Sequence, residues 1–363
     1  MELQIQKFLR SGRSRAELQD VFGINSKQHP AYPQLVLFKY SQIDSPFSEE
    51  IVRECRGIIL DSSDNWKVVC WSFSKFFNNS ERLAAKIDWQ SAEVQEKKDG
   101  SLCQLFYYDN RWNVATSGTP DASGSIDDYG ITFAETFWAV AKNQGIKFQY
   151  LDSSCCYSFE LCTPFNRVVV DHKTSAIYSI GSRNLNTLKE CGQLHPSLGA
   201  LPVPKYSLRN IEECLKAAEA LDPLKQEGFV VVDRYYNRIK IKSPAYVMLH
   251  HAKDQLSVRK MVDIIRFGEY SEFATAIQSI PELSKLFDDV KLQYDCVVVT
   301  ATEYYNKFKD IKDQKEFAQW AKGADNGKYA SVLFSMRKQN ITAAQAIASK
   351  ARTTDSVIQL LGV

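Results

Sequence analysis

The sequence predicts an α+β fold followed by an all-helical domain, and three observations carry that reading. From about Gln34 to Pro244, short runs rich in β-branched and aromatic residues recur with turn residues between them. Two helical patterns interrupt those runs. Past Pro244 the strand signal stops and helical periodicity takes over. The expected division is a first domain over residues 1–245 and an all-helical second domain over 246–363.

In chain order the strand candidates are QLVLFKY, CRGIILD, KVVCWSF, SLCQLFYY, RWNVATS, CYSFELC, RVVVD, AIYSIGS, GFVVVD and RIKIKS. Turns such as DN, DG and YYN separate them, which predicts antiparallel sheets. SIDDYGITFAETFWAVAKNQG carries apolar residues at helical spacing. SLRNIEECLKAAEALD opens with a serine cap followed by glutamate. After Pro244, LHHAKDQLSVRKMVDIIRF, FATAIQSI, VVVTATEYYNKFKDIKDQKEFAQWAKG and TAAQAIASKARTTDSVIQLL read as helices. That region lacks the closely spaced short strands an OB-type barrel needs.

Hydrophobic residues make up 44% and charged residues 24% of the 363, ordinary values for a globular chain. A net charge of +2 gives no global support for nucleic-acid binding, so any basic surface is local. The opening MELQIQKFLRSGRSRAELQDVF is amphipathic and has no apolar core of the kind a signal peptide carries. No apolar stretch approaches membrane-spanning length, and no membrane partner is expected. Nine cysteines without a CxxC pair point to reduced thiols and a cytoplasmic setting. Cys155, Cys156, Cys162 and His172 match no familiar zinc spacing and read as structural.

Candidate chemistry begins with RIKIKS. In a strand, Arg238, Lys240 and Lys242 share one face while Ile239 and Ile241 face the core. That pattern fits a phosphate-binding wall, and it equally fits a solvated edge strand. Glu227 stands at the entrance of the preceding strand, so a carboxylate lies near the basic face, as in many magnesium–nucleotide sites. Glu160 sits inside an apolar strand, where a charge is exposed, paired or bound to a ligand hydroxyl. Arg56 precedes a glycine, and Lys75 lies between aromatics. In EKKDGSLCQL, Asp-Gly reads as a hairpin turn with Lys97 and Lys98 beside it. An amine attacks phosphorus only as the free base, and neighbouring cations favour that form.

Taken in order, KKDGS, FELCTPFNRVVV, SIGSRN, EGFVVV and IKIKS resemble motifs I, III, IIIa, IV and V of covalent nucleotidyltransferases. The closer resemblance is to the bacteriophage tRNA-repair RNA ligases, the RNA ligase 1 family. FKY, ECRGIIL and SKFFNN match that family's upstream segments, and IKSPAYVMLH is similar to its passage after motif V. The resemblance implies a nucleotidyltransferase domain of ATP-grasp-like antiparallel sheets, with a helical domain that contributes RNA specificity. It implies an ATP-dependent RNA ligase using Mg2+, with Mn2+ able to substitute. Lys97 would be the nucleophile that carries AMP, and Lys98 the variable residue of its motif. Glu160 would contact the ribose, Glu227 the metal, and Lys240 and Lys242 the phosphates. Tyr40, Arg56 and Lys75 would hold the outer phosphates of ATP. The implied partners are RNA 3′-hydroxyl and 5′-phosphate ends, including those of a cleaved tRNA anticodon loop. The implied protein is a monomer of the cytoplasm, the host's if the source is viral.

One departure from the family pattern is Ser117, which in ATSGTP stands where a cation is expected, before Gly118. ATP-dependent DNA ligases and mRNA-capping guanylyltransferases share the lysyl-nucleotide chemistry, but their second domain is an OB barrel. A non-catalytic RNA-end-binding protein on the same fold is the reading from another class. Arg337, Lys338, Lys350 and Arg352 form a modest basic cluster in the tail that fits either phosphate contacts or a solvated helix face.

Overall fold

The computed structural model describes residues 2–126, 130–166, 168–252, 257–278, 281–349 and 352–362. They fall into two units, one of residues 1–41 and 45–246, the other of residues 42–44 and 247–363. The first unit holds three large sheets, and its sequence explains which face of each is covered.

The first sheet runs Ile24–Gln28, Leu35–Tyr40, Arg56–Asp61, Lys67–Cys70, each antiparallel to its neighbour. Helices Gln4–Arg10 and Arg15–Phe22 cover it, burying Ile5, Phe8 and Leu18 against Phe38 and Ile58. Ser14 and Glu17 close the second helix's N-terminus as a capping box. The first is capped from far along the chain: Glu54 accepts the amides of Gln4 and Ile5, each at 3.0 Å.

The second sheet has the order Leu201–Pro202, Ala176–Asn184, Cys155–Cys162, Ser101–Tyr108, Arg111–Thr116. Helix Phe133–Gln144 packs on it through Phe137 and Ala141, over Phe159 and Leu105. The third sheet has the order Lys205–Tyr206, Glu93–Lys97, Gly228–Val232, Arg238–Lys242, Phe77–Asn78. Helix Ile211–Glu219 covers it, with Cys214 and Ala218 in a core of Val94, Phe229, Val231, Ile239 and Ile241. Pairing is antiparallel throughout except at two short edge strands, Leu201–Pro202 and Phe77–Asn78, which join in parallel.

Three sequence expectations are corrected. Asn210, not Ser207, caps helix Ile211–Glu219, because its side chain accepts the Glu213 amide at 2.8 Å. Asp99-Gly100 is not a hairpin: the strand before it belongs to the third sheet, the strand after it to the second. The third correction follows from the second. Residues 168–170 of RVVVD form bends, not a strand, because the amides of Val169 and Val170 donate to Asp99 Oδ2 at 2.9 and 2.7 Å. The Tyr246 hydroxyl donates to Asp99 Oδ1 at 2.8 Å, so this buried carboxylate fixes the crossover between sheets. Gly100 is needed there, since a Cβ would lie 2.5 Å from the Leu161 carbonyl oxygen.

A buried ionic clasp joins the same two sheets elsewhere. Glu190 accepts from Arg183 of the second sheet at 2.9 Å and pairs with Arg238 of the third at 2.6 Å. Trp71 stacks on Arg183 and Phe73 on Arg238, so both guanidiniums are covered.

After Tyr246, the described residues contain only helices and connecting turns. The 28-residue helix Pro281–Phe308 is the longest, with Phe287, Val290, Tyr294 and Val297 buried. No helix among the described residues is long and apolar enough to cross a membrane. Arg337 donates to the Lys312 carbonyl and Arg352 to the Ala346 carbonyl, which ties two of the tail's cations to the fold. Lys338 is exposed, and Lys350 lies outside the described residues.

Glu190→Gln should leave Arg183 and Arg238 buried with one anion too few. Breaking a buried ion pair from one side costs about 3 kcal/mol, a fall of roughly 6–12 °C in melting temperature. A thermal melt checks this, and a shift within about 1 °C would show that the clasp does not hold the sheets together.

Candidate active site

The site is built on register. Gly228 pairs with Lys97 on one side and Lys242 on the other, so three strands bring two lysines to the same sheet end. Glu227, one residue before Gly228, stands between them and is almost fully buried. Its Oε2 lies 2.6 Å from Lys97 Nζ and its Oε1 3.2 Å from Lys242 Nζ. Gly228 permits this closeness: a Cβ would sit 2.2 Å from the Ile241 carbonyl oxygen.

Two residues further in, Lys240 pairs with Val230 and shares the face of Lys242, while Ile239 and Ile241 are buried on the other side. Loss of water, and then Lys242, Lys97, Arg56 and Lys75, push the Lys240 ammonium down to about 7. Arg238 shares that face but is committed to Glu190. Of the three cations of RIKIKS, Arg238 and Lys240 line the cavity, and Lys242 is held by Glu227.

The second sheet faces this wall across a cavity of 240 Å³ lined by Lys97, Lys240, Arg56 and Glu160, with Phe73 and Phe76 among its apolar residues. Loss of water raises the Glu160 carboxyl to about 7, Glu227 adds to the rise, and Lys97 and Arg56 oppose it. Tyr40 and Lys75 lie beside this cavity, in an aromatic nest. Lys75 Nζ is 4.2 Å from the Phe47 ring centre, 5.1 Å from that of Tyr40 and 5.2 Å from that of Phe77. Burial raises the Tyr40 hydroxyl, with Arg56 next to it.

Lys98 points to a different fate from Lys97. It pairs with Glu96 at 2.7 Å and stacks over Tyr178 at 4.2 Å. Two functional supports escaped the sequence reading. Asp99 anchors the crossover that carries Lys97. Gln104, fully buried, donates to the Gly57 carbonyl at 3.0 Å and accepts the Ser72 amide at 3.1 Å, tying the Arg56 segment to the second sheet. A polar residue inside the apolar run SLCQLFYY was the signal, of the same kind that singled out Glu160.

An embedded lysine with a buried carboxylate partner, a basic strand and a cleft lined by charged and aromatic residues make an arrangement suited to a bound polyphosphate. The RNA ligase family model matches residues 54–246, just over half of the chain. This chain belongs to the RNA ligase family. It is 27% identical over 348 residues to the RNA ligase of Rhodothermus phage RM378, covering 77% of this chain and 78% of that protein. It is 29% identical over 313 residues to a putative bifunctional polynucleotide kinase/RNA ligase of Autographa californica nuclear polyhedrosis virus. That match covers 80% of this chain but 44% of the viral protein. Among solved structures, an archaeal ATP-dependent RNA ligase aligns at 15% identity with a TM-score of 0.48, covering 87% of this chain and 88% of that one.

The site's charges work against the fold, and two variants should show it. The Glu160 carboxyl rises from 4.5 to about 7 on folding, so its strain appears as pH climbs through that window. Glu160→Gln should raise the melting temperature by a few degrees, the effect of about 1 kcal/mol, at about pH 8 but not at about pH 4. Lys240 falls from 10.5 to about 7, so its strain is full below about pH 7 and gone above the upper value. Lys240→Met should stabilise most near about pH 6 and least near about pH 10. Melts at these pH values decide, and uniform destabilisation would contradict both signs.

Proposed function

We propose that this chain is an ATP-dependent RNA ligase that carries AMP on Lys97 and joins RNA 3′-hydroxyl to 5′-phosphate ends, in the repair of cleaved tRNA. The observation that carries the reading is the row Lys97–Glu227–Lys242 at the end of a basic strand, with Glu160 facing it across the cavity.

In the first step Lys97 Nζ attacks the α-phosphorus of ATP. The nitrogen–phosphorus bond forms as the bond to the bridging oxygen breaks, and pyrophosphate leaves with the electron pair. Nζ must first lose a proton, and Glu227 Oε2 at 2.6 Å is its nearest acceptor. Lys240 and Lys242 face the reacting phosphate, while Arg56, Lys75 and Tyr40 hold the outer ones. Glu160, half-protonated near neutral pH, accepts from or donates to a ribose hydroxyl. In the second step an RNA 5′-phosphate oxygen attacks the AMP phosphorus, and Nζ leaves and regains its proton. In the third, an RNA 3′-hydroxyl attacks the activated 5′-phosphate and AMP departs.

The donor set fits Mg2+ held mainly by phosphate and water, a mode that asks for few protein carboxylates. Glu227 would hold it, with Mn2+ able to substitute, and the ion would supply neutralisation of phosphate charge. All nine cysteines are free thiols, which supports a reducing, cytoplasmic compartment. The helical unit after Tyr246 is the proposed source of substrate choice, with Arg337, Lys338 and Arg352 as its candidate phosphate contacts.

With ATP labelled at the α-phosphate, Lys97→Ala should abolish the covalent adenylate while Lys98→Ala retains it. Label appearing preferentially from GTP would end the ATP reading. Wild-type protein that neither adenylylates itself nor seals 5′-phosphorylated RNA would leave only RNA-end binding. Removing residues after about 250 should cost preference for tRNA ends but spare self-adenylylation; equal loss of both would make the helical unit structural.

A further inference from the structure

Next to Arg56 of the cavity wall lies a cation that no sequence motif singled out. Lys39 lies at the end of strand Leu35–Tyr40 and pairs across the sheet with Arg56. The register slips at this point, with Phe38 opposite Ile58 and Lys39 opposite Arg56, so Gly57 is the extra residue of a bulge. Gly57 has φ +85°, which only glycine adopts without strain. A Cβ there would lie 2.7 Å from Ser117 Cα, so the absence of a side chain lets the 116–119 loop close onto the bulge. That loop brings Gly118 to Lys39: a Cβ on Gly118 would be 3.7 Å from Lys39 Nζ.

Two positive side chains are thus held side by side beneath a loop whose residue next to Lys39, Gly118, carries no side chain. Lys39 is half-buried, and no carboxylate among the described residues lies within ion-pair distance of it. Burial and then Arg56 lower its ammonium's affinity for a proton. Arg56 Nη1 is buried without a hydrogen-bond partner. A fold gains nothing by crowding two cations this way, and an anion arriving between them relieves both the repulsion and the unmet donor.

We propose that Lys39 is a phosphate-contacting residue of the ligase reaction, forming with Arg56 a two-cation seat at the Gly118 loop. The missing charge at Ser117 is then supplied from the facing strand instead of from the loop. This rests on the proposed ligase reading. The shared chemistry is a phosphate dianion, from the outer phosphates of ATP or from the 5′ end of RNA.

The test compares wild type, Lys39→Met and Lys39→Arg in four measurements: pyrophosphate binding by calorimetry, self-adenylylation across ATP concentrations, transfer of AMP from the adenylylated enzyme to 5′-phosphorylated RNA, and melting temperature. Lys39→Met should weaken pyrophosphate binding and raise the half-saturating ATP by about tenfold, the loss expected for one charged hydrogen bond. Lys39→Arg should recover most of it. The melting temperature of Lys39→Met should hold or rise, because a repulsion has been removed. Intact pyrophosphate and ATP binding with weakened transfer to RNA would assign the seat to the RNA phosphate. Unchanged values in all three functional measurements would overturn the proposal, as would a lower melting temperature without rescue by arginine. Pyrophosphate binding that depends on Lys39 in a protein that never adenylylates itself would keep the seat and remove the ligase reading.

Discussion

Glu227 holds two ammonium groups at one sheet end, and the site depends on that contact. Lys97 and Lys242 are fixed in register by the strand between them, and without a carboxylate they would face each other across it. The carboxylate is almost completely buried, so its charge is little screened. One acid serves two bases, while Lys240 close by has no such partner among the described residues and its hold on a proton is weakened. The result is a surface short of negative charge, which suits it to an anion such as a polyphosphate.

The backbone reaches this arrangement by three close approaches that exclude side chains. Gly228 lets the lysine strand pass within contact of the Glu227 turn, Gly100 lets the crossover lie on Leu161, and Gly57 lets the Ser117 loop reach the first sheet. Each lies beside a charged or polar residue of the site: Glu227, Asp99 and Arg56. The sheets themselves are ordinary; the junctions between them set the chemistry. Asp99 and the Glu190 clasp then hold the second and third sheets together on either side of the cavity.

Much of this was legible in the sequence, for identifiable reasons. Alternation in RIKIKS follows from strand geometry alone, and the burial of Ile239 and Ile241 agrees with it. Glu160 stood out because an acid inside an apolar strand is costly. The residues that misled were those whose partners lie far along the chain. Asp99 beside glycine has the local signature of a hairpin, and nothing nearby shows that its acceptors are filled from residues 169, 170 and 246. RVVVD has strand composition, but its amides were already committed to Asp99. Lys39 in FKY looks like any strand lysine; only the bulge opposite and the approach of Gly118 distinguish it.

Glu160 and Lys240 both exchange protons near neutrality, one having risen and the other having fallen to the same value. A cleft with two such groups has buffering capacity of its own. Its net charge is therefore not fixed near neutral pH. Such a cleft would meet an arriving anion by taking up protons from water and return them when the anion leaves.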